Sequence, residues 1–237
     1  MKFNISNYIL IFEKKGESGE KKYDQYFHFQ RYISYWISIP IYHSPLRPNQ
    51  ITFLSNFFQL IGVSLIAFLT DYERIYGVLF YFLGGIFDFI DGNIARAKNL
   101  QSNKGIYFDQ IGHVALGPLF FVAIAFSAYF DSNNIIYLYI STFTGIFVVL
   151  LSFMIQKRNS LLINYKRQIT DQYEKNEKDR LKKSIKFIYS SFYHYKIEIL
   201  ILFILIDKVN YLAVISLFYF FSRFFIHLYL DQKIIND

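Results

Sequence analysis

ITFLSNFFQLIGVSLIAFLT, residues 51–70, is twenty residues without a charge. At 1.5 Å per residue it is long enough to cross about 30 Å of hydrocarbon as a helix. A second uncharged run, Ser132 to Gln156, covers twenty-five residues. Between them Ile75–Ile90 is apolar except for Asp88, and Val114–Phe130 is uncharged; a further pair lies near 187–206 and 209–228. Such runs do not fit a soluble core, so the expected fold is all-α and polytopic. Six transmembrane helices are expected, at about 51–70, 75–91, 107–130, 133–156, 187–206 and 209–228.

With the amino terminus inside, six spans leave four segments in the cytoplasm: 1–50, roughly 92–104, 157–186 and the tail. They carry 7, 3, 10 and 1 Lys or Arg, whereas the outer connections hold only Arg74 and Lys208. This asymmetry is the positive-inside pattern and puts both termini in the cytoplasm. The net charge of +7 then reflects topology and attraction to anionic headgroups, and with no nucleic-acid-binding motif in the chain no nucleic-acid partner is expected. No cleavable secretory signature is expected either, since the first strongly apolar run begins only near residue 51. The absence of cysteine removes disulfides, thiolate metal sites and thiol redox chemistry.

The organisation follows. Residues 1–48 form a cytoplasmic and interfacial segment: Gly16–Lys22 is expected as a solvated turn, and Tyr23–Ile41, with aromatics alternating with polar groups, as an interfacial helix broken by Pro40, Pro45 and Pro48. Residues 49–230 form one membrane domain, and 231–237 a cytoplasmic tail. Segment 157–186, with ten basic and four acidic residues, reads as a helix on the inner surface or a solvated linker.

The second span ends Asp88-Phe-Ile-Asp91-Gly92-Asn-Ile-Ala95-Arg96, and the third begins Gly105-Ile-Tyr-Phe-Asp109-Gln-Ile-Gly-His113. Helical spacing puts Asp88 with Asp91 on one face and Asp109 with His113 on another, so two facing helices can converge four groups. Carboxylates in a membrane are costly and face a partner, an ion or a wet cavity. Hard oxygen ligands favour Mg2+ or Mn2+, the usual companions of a diphosphate. Gly92 and Ala95 share the face of Asp88, where small side chains admit a ligand or a neighbouring helix.

These residues resemble the signature of the CDP-alcohol phosphotransferases, DxxDGxxARx8GxxxDxxxD, at seven of its eight fixed positions over 26 residues. Pro48-Asn49-Gln50-Ile51-Thr52 resembles the family's entry to its first span. The resemblance implies six spans behind an interfacial helix, a homodimer, and transfer of a substituted phosphate from a CDP-alcohol to an alcohol with release of CMP. It implies Asp88, Asp91, Asp109 and His113 as metal ligands, and Asp109 and His113 as catalytic groups. Asn49, Thr52, Gly92, Ala95, Arg96 and Gly105 would shape the nucleotide and phosphate region. CDP-diacylglycerol is the expected donor, and membrane lipids are partners; a soluble CDP-alcohol donor with a lipid or glycan acceptor is the variant reading, and a nucleotide-binding or scaffold membrane protein, catalytically impaired because of His113, a third.

The eighth position is His113, where the family's pattern has Asp. Neutral imidazole, with a reference pKa of about 6.5 against about 3.9 for Asp, suits a general base near neutral pH. As a ligand it suits Mn2+ or Zn2+ better than Mg2+ and withdraws one negative charge. Lys196 and Arg223, inside the fifth and sixth spans, are candidates for an acceptor phosphate, or snorkel to the surface. His28, His43, His194 and His227 show no metal-site spacing and read as interfacial or packing residues.

Overall fold

Proline is tolerated in the first turn of a helix, where its missing N–H has no partner to lose, and Pro48 opens the first long helix in this way. The Gln50 side chain accepts the Arg47 N–H at 2.9 Å and covers one orphan donor of that turn. In the computed structural model, which describes Phe12, residues 28–173 and residues 195–236, the elements are α1 (His28–Tyr42), α2 (Pro48–Phe68), a 3-10 turn (Asp71–Glu73), α3 (Arg74–Ala97), α4 (Asn103–Ser132), α5 (Ile136–Tyr173), α6 (Lys196–Leu205) and α7 (Val209–Asn236). All the regular structure among the described residues is helical.

Five of these helices are long and apolar enough to cross a membrane: Pro48–Phe68, Asp71–Ala97, Asn103–Ser132, Ile136–Met154 and Val209–Tyr229. Four of the expected spans and the sixth thus coincide with helices to within a few residues. Of the fifth, 187–206, the part after Tyr195 is helical, as α6; its first half lies outside the described residues. The expected turn at Gly16–Lys22, the start of the interfacial helix before His28, residues 174–186 and His194 lie outside them too.

Pro40 does not break α1. It sits near the end, where only two further residues need the helix, so the missing N–H costs one terminal bond and no steric conflict propagates. The polar segment after the fourth span is helical to Tyr173, as a continuation of α5 rather than a separate element. Residues 157–173 contain no Pro or Gly and are rich in Lys, Arg, Gln and Leu, good helix formers that supply no stop signal.

Helix ends are closed by Asn or Asp in the left-handed region that glycine usually takes. Asn99 has φ 54°, with Leu100 N–H to the Ala95 carbonyl at 2.9 Å and Asn99 N–H to Arg96 at 3.3 Å. Asp207, φ 52°, closes α6 in the same way, through Lys208 to Phe203 at 2.9 Å and Asp207 to Ile204 at 3.1 Å. Asn133 follows α4 at φ 49°.

Two compact units divide inside α4, Met1–Phe120 and Phe121–Asp237. In the first, α2 and α3 touch backbone to backbone. A Cβ on Gly62 would stand 2.5 Å from the Tyr81 amide nitrogen, and one on Gly77 would stand 2.6 Å from that of Ile66. Ser55 Oγ donates to the Gly84 carbonyl at 2.9 Å across the same seam. Helix α1 covers α3 with Tyr35 and Ile39, which with Phe12 pack on Ile86, Ile90, Ile94 and Ile51.

The second unit is built on aromatic side chains. Phe147 on α5 meets Phe221 and Phe224 on α7 at 5.2 and 5.6 Å between centroids, and Phe121 meets Phe220 edge-on at 4.8 Å. Ser141 Oγ donates to the Val122 carbonyl at 3.1 Å. Phe143, Phe153, Phe218 and Phe225 are exposed. Apolar exposure of this kind suits a surface facing acyl chains.

Candidate active site

Asp88 and Asp91 lie in the second half of α3, and Asp109 and His113 in the first half of α4. The turn between these helices is fixed at both ends. Lys98 Nζ donates to the carbonyls of Ser44 and Leu46, at 2.7 and 3.2 Å, anchoring the end of α3 to the loop before α2. Ser102 Oγ accepts the Gly105 N–H at 3.1 Å and caps α4.

Across that turn His113 Nε2 stands 3.4 Å from Asp88 Oδ2 and 3.4 Å from Asp109 Oδ1. One ligand atom from each of the three residues lies within 4.8 Å of the other two. Oxygens around a divalent ion at about 2.1 Å are at most about 4.2 Å apart, so a small inward movement would close the three around one ion. Two carboxylates and an imidazole are a donor set that fits a divalent cation. The site is open: the side chains of His113, Asp109 and Asp88 are 58%, 40% and 23% exposed.

The fourth expected ligand is Asp91, one turn along α3 from Asp88. Asp91 is buried, and its Oδ2 accepts a hydrogen bond from Thr52 Oγ1 at 2.5 Å. Thr52, expected in the nucleotide region, is buried too and holds this carboxylate. It is flanked on the same face of α2 by Asn49 and Asn56, three residues before and four after. Asn49 Oδ1 would lie 3.2 Å from a Cβ on Gly105, and a side chain on Gly112 would run into the Asn56 amide. Glycines on α4, seven residues apart, thus admit asparagines on α2 spaced likewise. Gly105 serves this approach; Asn56 and Gly112 had no reading in sequence, although their spacing repeats that of the Asn49 pair.

Arg96, a turn beyond Gly92, lies over it: a Cβ on Gly92 would stand 3.3 Å from Arg96 Nη1. The guanidinium donates through Nε to the Phe12 carbonyl at 2.8 Å and through Nη2 to Asn93 Oδ1 at 3.0 Å. Ala95 is half-buried and offers its carbonyl to the helix cap. Lys196 and Arg223 belong to the second unit. Arg223 Nη1 donates to Tyr219 Oη at 2.7 Å, one turn back on α7, and its guanidinium carbon lies 5.7 Å from that ring's centroid; Lys196 opens α6, half-buried.

Among curated proteins none matches the chain. The family model for CDP-alcohol phosphatidyltransferases matches residues 46–220, from the loop before α2 into α7 and including every residue of the cluster above. With the carboxylate–imidazole cluster inside that span, the chain belongs to the CDP-alcohol phosphatidyltransferase family.

Proposed function

We propose that this chain transfers a phosphatidyl group from CDP-diacylglycerol to a small alcohol, releasing CMP, at the cytoplasmic face of the membrane. The observation that carries the reading is the convergence of Asp88, Asp109 and His113 from two helices, within a family whose reaction moves such groups from CDP-alcohols. The site's place beside a strongly basic set of connections supports the inner-face location.

Asp88 and Asp109 would hold Mg2+ or Mn2+, with Asp91 oriented by Thr52 one turn further along α3. A bound divalent ion would neutralise charge on the diphosphate and on the departing CMP. His113 Nε2, left off the ion in this reading, is the proton acceptor. It is the most exposed group of the cluster, where an entering alcohol reaches it, and the carboxylates on either side stabilise the imidazolium that forms. The alcohol oxygen bonds to the phosphatidyl phosphorus, its proton passes to Nε2, and the bond from that phosphorus to the bridging oxygen breaks, so CMP leaves with that oxygen. Arg96 and the half-buried Gly92 border the donor's phosphates.

The test is CMP release by purified protein in detergent with CDP-diacylglycerol, a panel of alcohols, and Mg2+ or Mn2+. Asp88→Ala and Asp109→Ala are expected to lower turnover by a thousandfold or more, since each removes a carboxylate that would hold the ion, an effect on the order of 4 kcal/mol. His113→Ala falls by about a hundredfold, the usual share of a general base, and His113→Asp recovers part of it. Wild-type protein that releases no CMP from lipid or soluble CDP-alcohols, with either ion, would sink the enzymatic reading.

A further inference from the structure

Asn93 occupies a variable position of the motif, yet it is 2% exposed and its amide is fully used. Nδ2 donates to Ser34 Oγ at 3.3 Å and to Ser38 Oγ at 3.1 Å, both on α1 and both fully buried. Oδ1 accepts from Arg96 Nη2 at 3.0 Å. Two donors and one acceptor therefore bind three partners, and those partners lie on two helices. Arg96 Nε reaches the Phe12 carbonyl, so the guanidinium has two of its nitrogens on fixed acceptors and Gly92 beneath it. The apolar packing of Phe12, Tyr35 and Ile39 on Ile90 and Ile94 holds the same two layers together.

We propose that Asn93 is a positioning residue of the transfer reaction: through Ser34 and Ser38 it ties the segment preceding the first span to Arg96, and fixes that guanidinium for the donor's phosphates. The inference rests on the reading of Arg96 as a donor-binding group. A buried amide with every polar atom engaged is costly to leave half-satisfied. A mobile arginine would surrender ordering entropy on binding each donor molecule, whereas a fixed one does not. Asn93 touches no substrate, so its loss weakens donor binding and leaves the chemical step at the carboxylate–imidazole cluster alone.

The experiment measures CMP affinity calorimetrically, and the donor KM and kcat, on full-length protein in detergent with Mn2+. Asn93→Ala is expected to weaken CMP and raise the donor KM by about tenfold, as for one charge-assisted hydrogen bond, with kcat within about twofold. Asn93→Asp keeps an acceptor for Arg96 and can accept from Ser38, whereas the Ser34 hydroxyl already donates to the Arg31 carbonyl at 2.7 Å, so it recovers part of the loss. If Asn93→Ala does not fold, Ser34→Ala combined with Ser38→Ala cuts the other end of the tie and weakens CMP in the same direction, by about threefold. A folded Asn93→Ala with wild-type CMP affinity and donor KM overturns the proposal. So does a loss confined to kcat, and so does an unchanged CMP affinity in the double serine variant. Failure of wild-type protein to bind CMP at all overturns the reading of Arg96 and this inference with it, and is seen before any variant is made.

Discussion

Helices α2 and α3 meet backbone to backbone, through Gly62, Gly77 and Gly84, whereas α5 and α7 meet through phenylalanine rings 5 to 6 Å apart. Both seams join apolar helices, but they constrain their helices differently. A glycine seam admits one separation, because backbone atoms on either side cannot yield. An aromatic seam can tilt rings and re-pack. The glycine seam is the one that leads to Thr52 and Asp91, where a hydroxyl and a carboxylate on different helices are held 2.5 Å apart. The rigid seam thus lies beside the proposed site.

The largest effect should come from breaking the rigid seam. Gly62→Ala would push its methyl against the Tyr81 backbone and force the helices apart, at a cost of about 3 kcal/mol. Thermal unfolding in detergent should show it, and a variant as stable as wild type would remove the distinction between the seams. Thr52→Val, similar in shape but without the hydroxyl, leaves the Asp91 carboxylate buried without its partner on α2. It should cost about 2 kcal/mol in the same assay. Phe147→Leu, in the aromatic seam, should cost only about 1 kcal/mol, since the neighbouring rings can close on the smaller side chain. A loss at Phe147 equal to that at Gly62 would show that the two seams are equally strict.

Much of this arrangement was legible in the chain. Hydropathy anticipated five helices long and apolar enough to cross a membrane, because length and the lack of charge are all that the bilayer asks. The motif located the cluster, because helical spacing brings Asp109 and His113 to one face. What the sequence did not reveal was partnership. Asp88 and Asp91 were expected to share a face; that Asp91 also takes Thr52 as a partner and Asp88 takes His113 depends on the neighbouring helices, which spacing along one helix does not name. Thr52 and Arg96 were read through the resemblance as groups for the nucleotide, and their protein partners depend on helices remote in sequence. Asn93 carried one signal, an amide on a mostly apolar helix, and Ser34 with Ser38 another, two hydroxyls one turn apart. Neither says what it faces. Continuation of α5 past the fourth span went unread because its composition changes while its helix propensity does not.

Four of the short connections each hold one Asp or Asn in the left-handed conformation: Asp71, Asn99, Asn133 and Asp207. Glycine would have served the backbone equally well. A polar side chain at such a point resists being drawn into hydrocarbon, so each of these residues also acts as a depth mark. At each of these corners, drawing the helix end one turn into hydrocarbon would submerge an amide or a carboxylate. For the proposed reaction, which would join a lipid to a water-soluble alcohol, holding the carboxylate–imidazole cluster at one level would keep both reactants within reach.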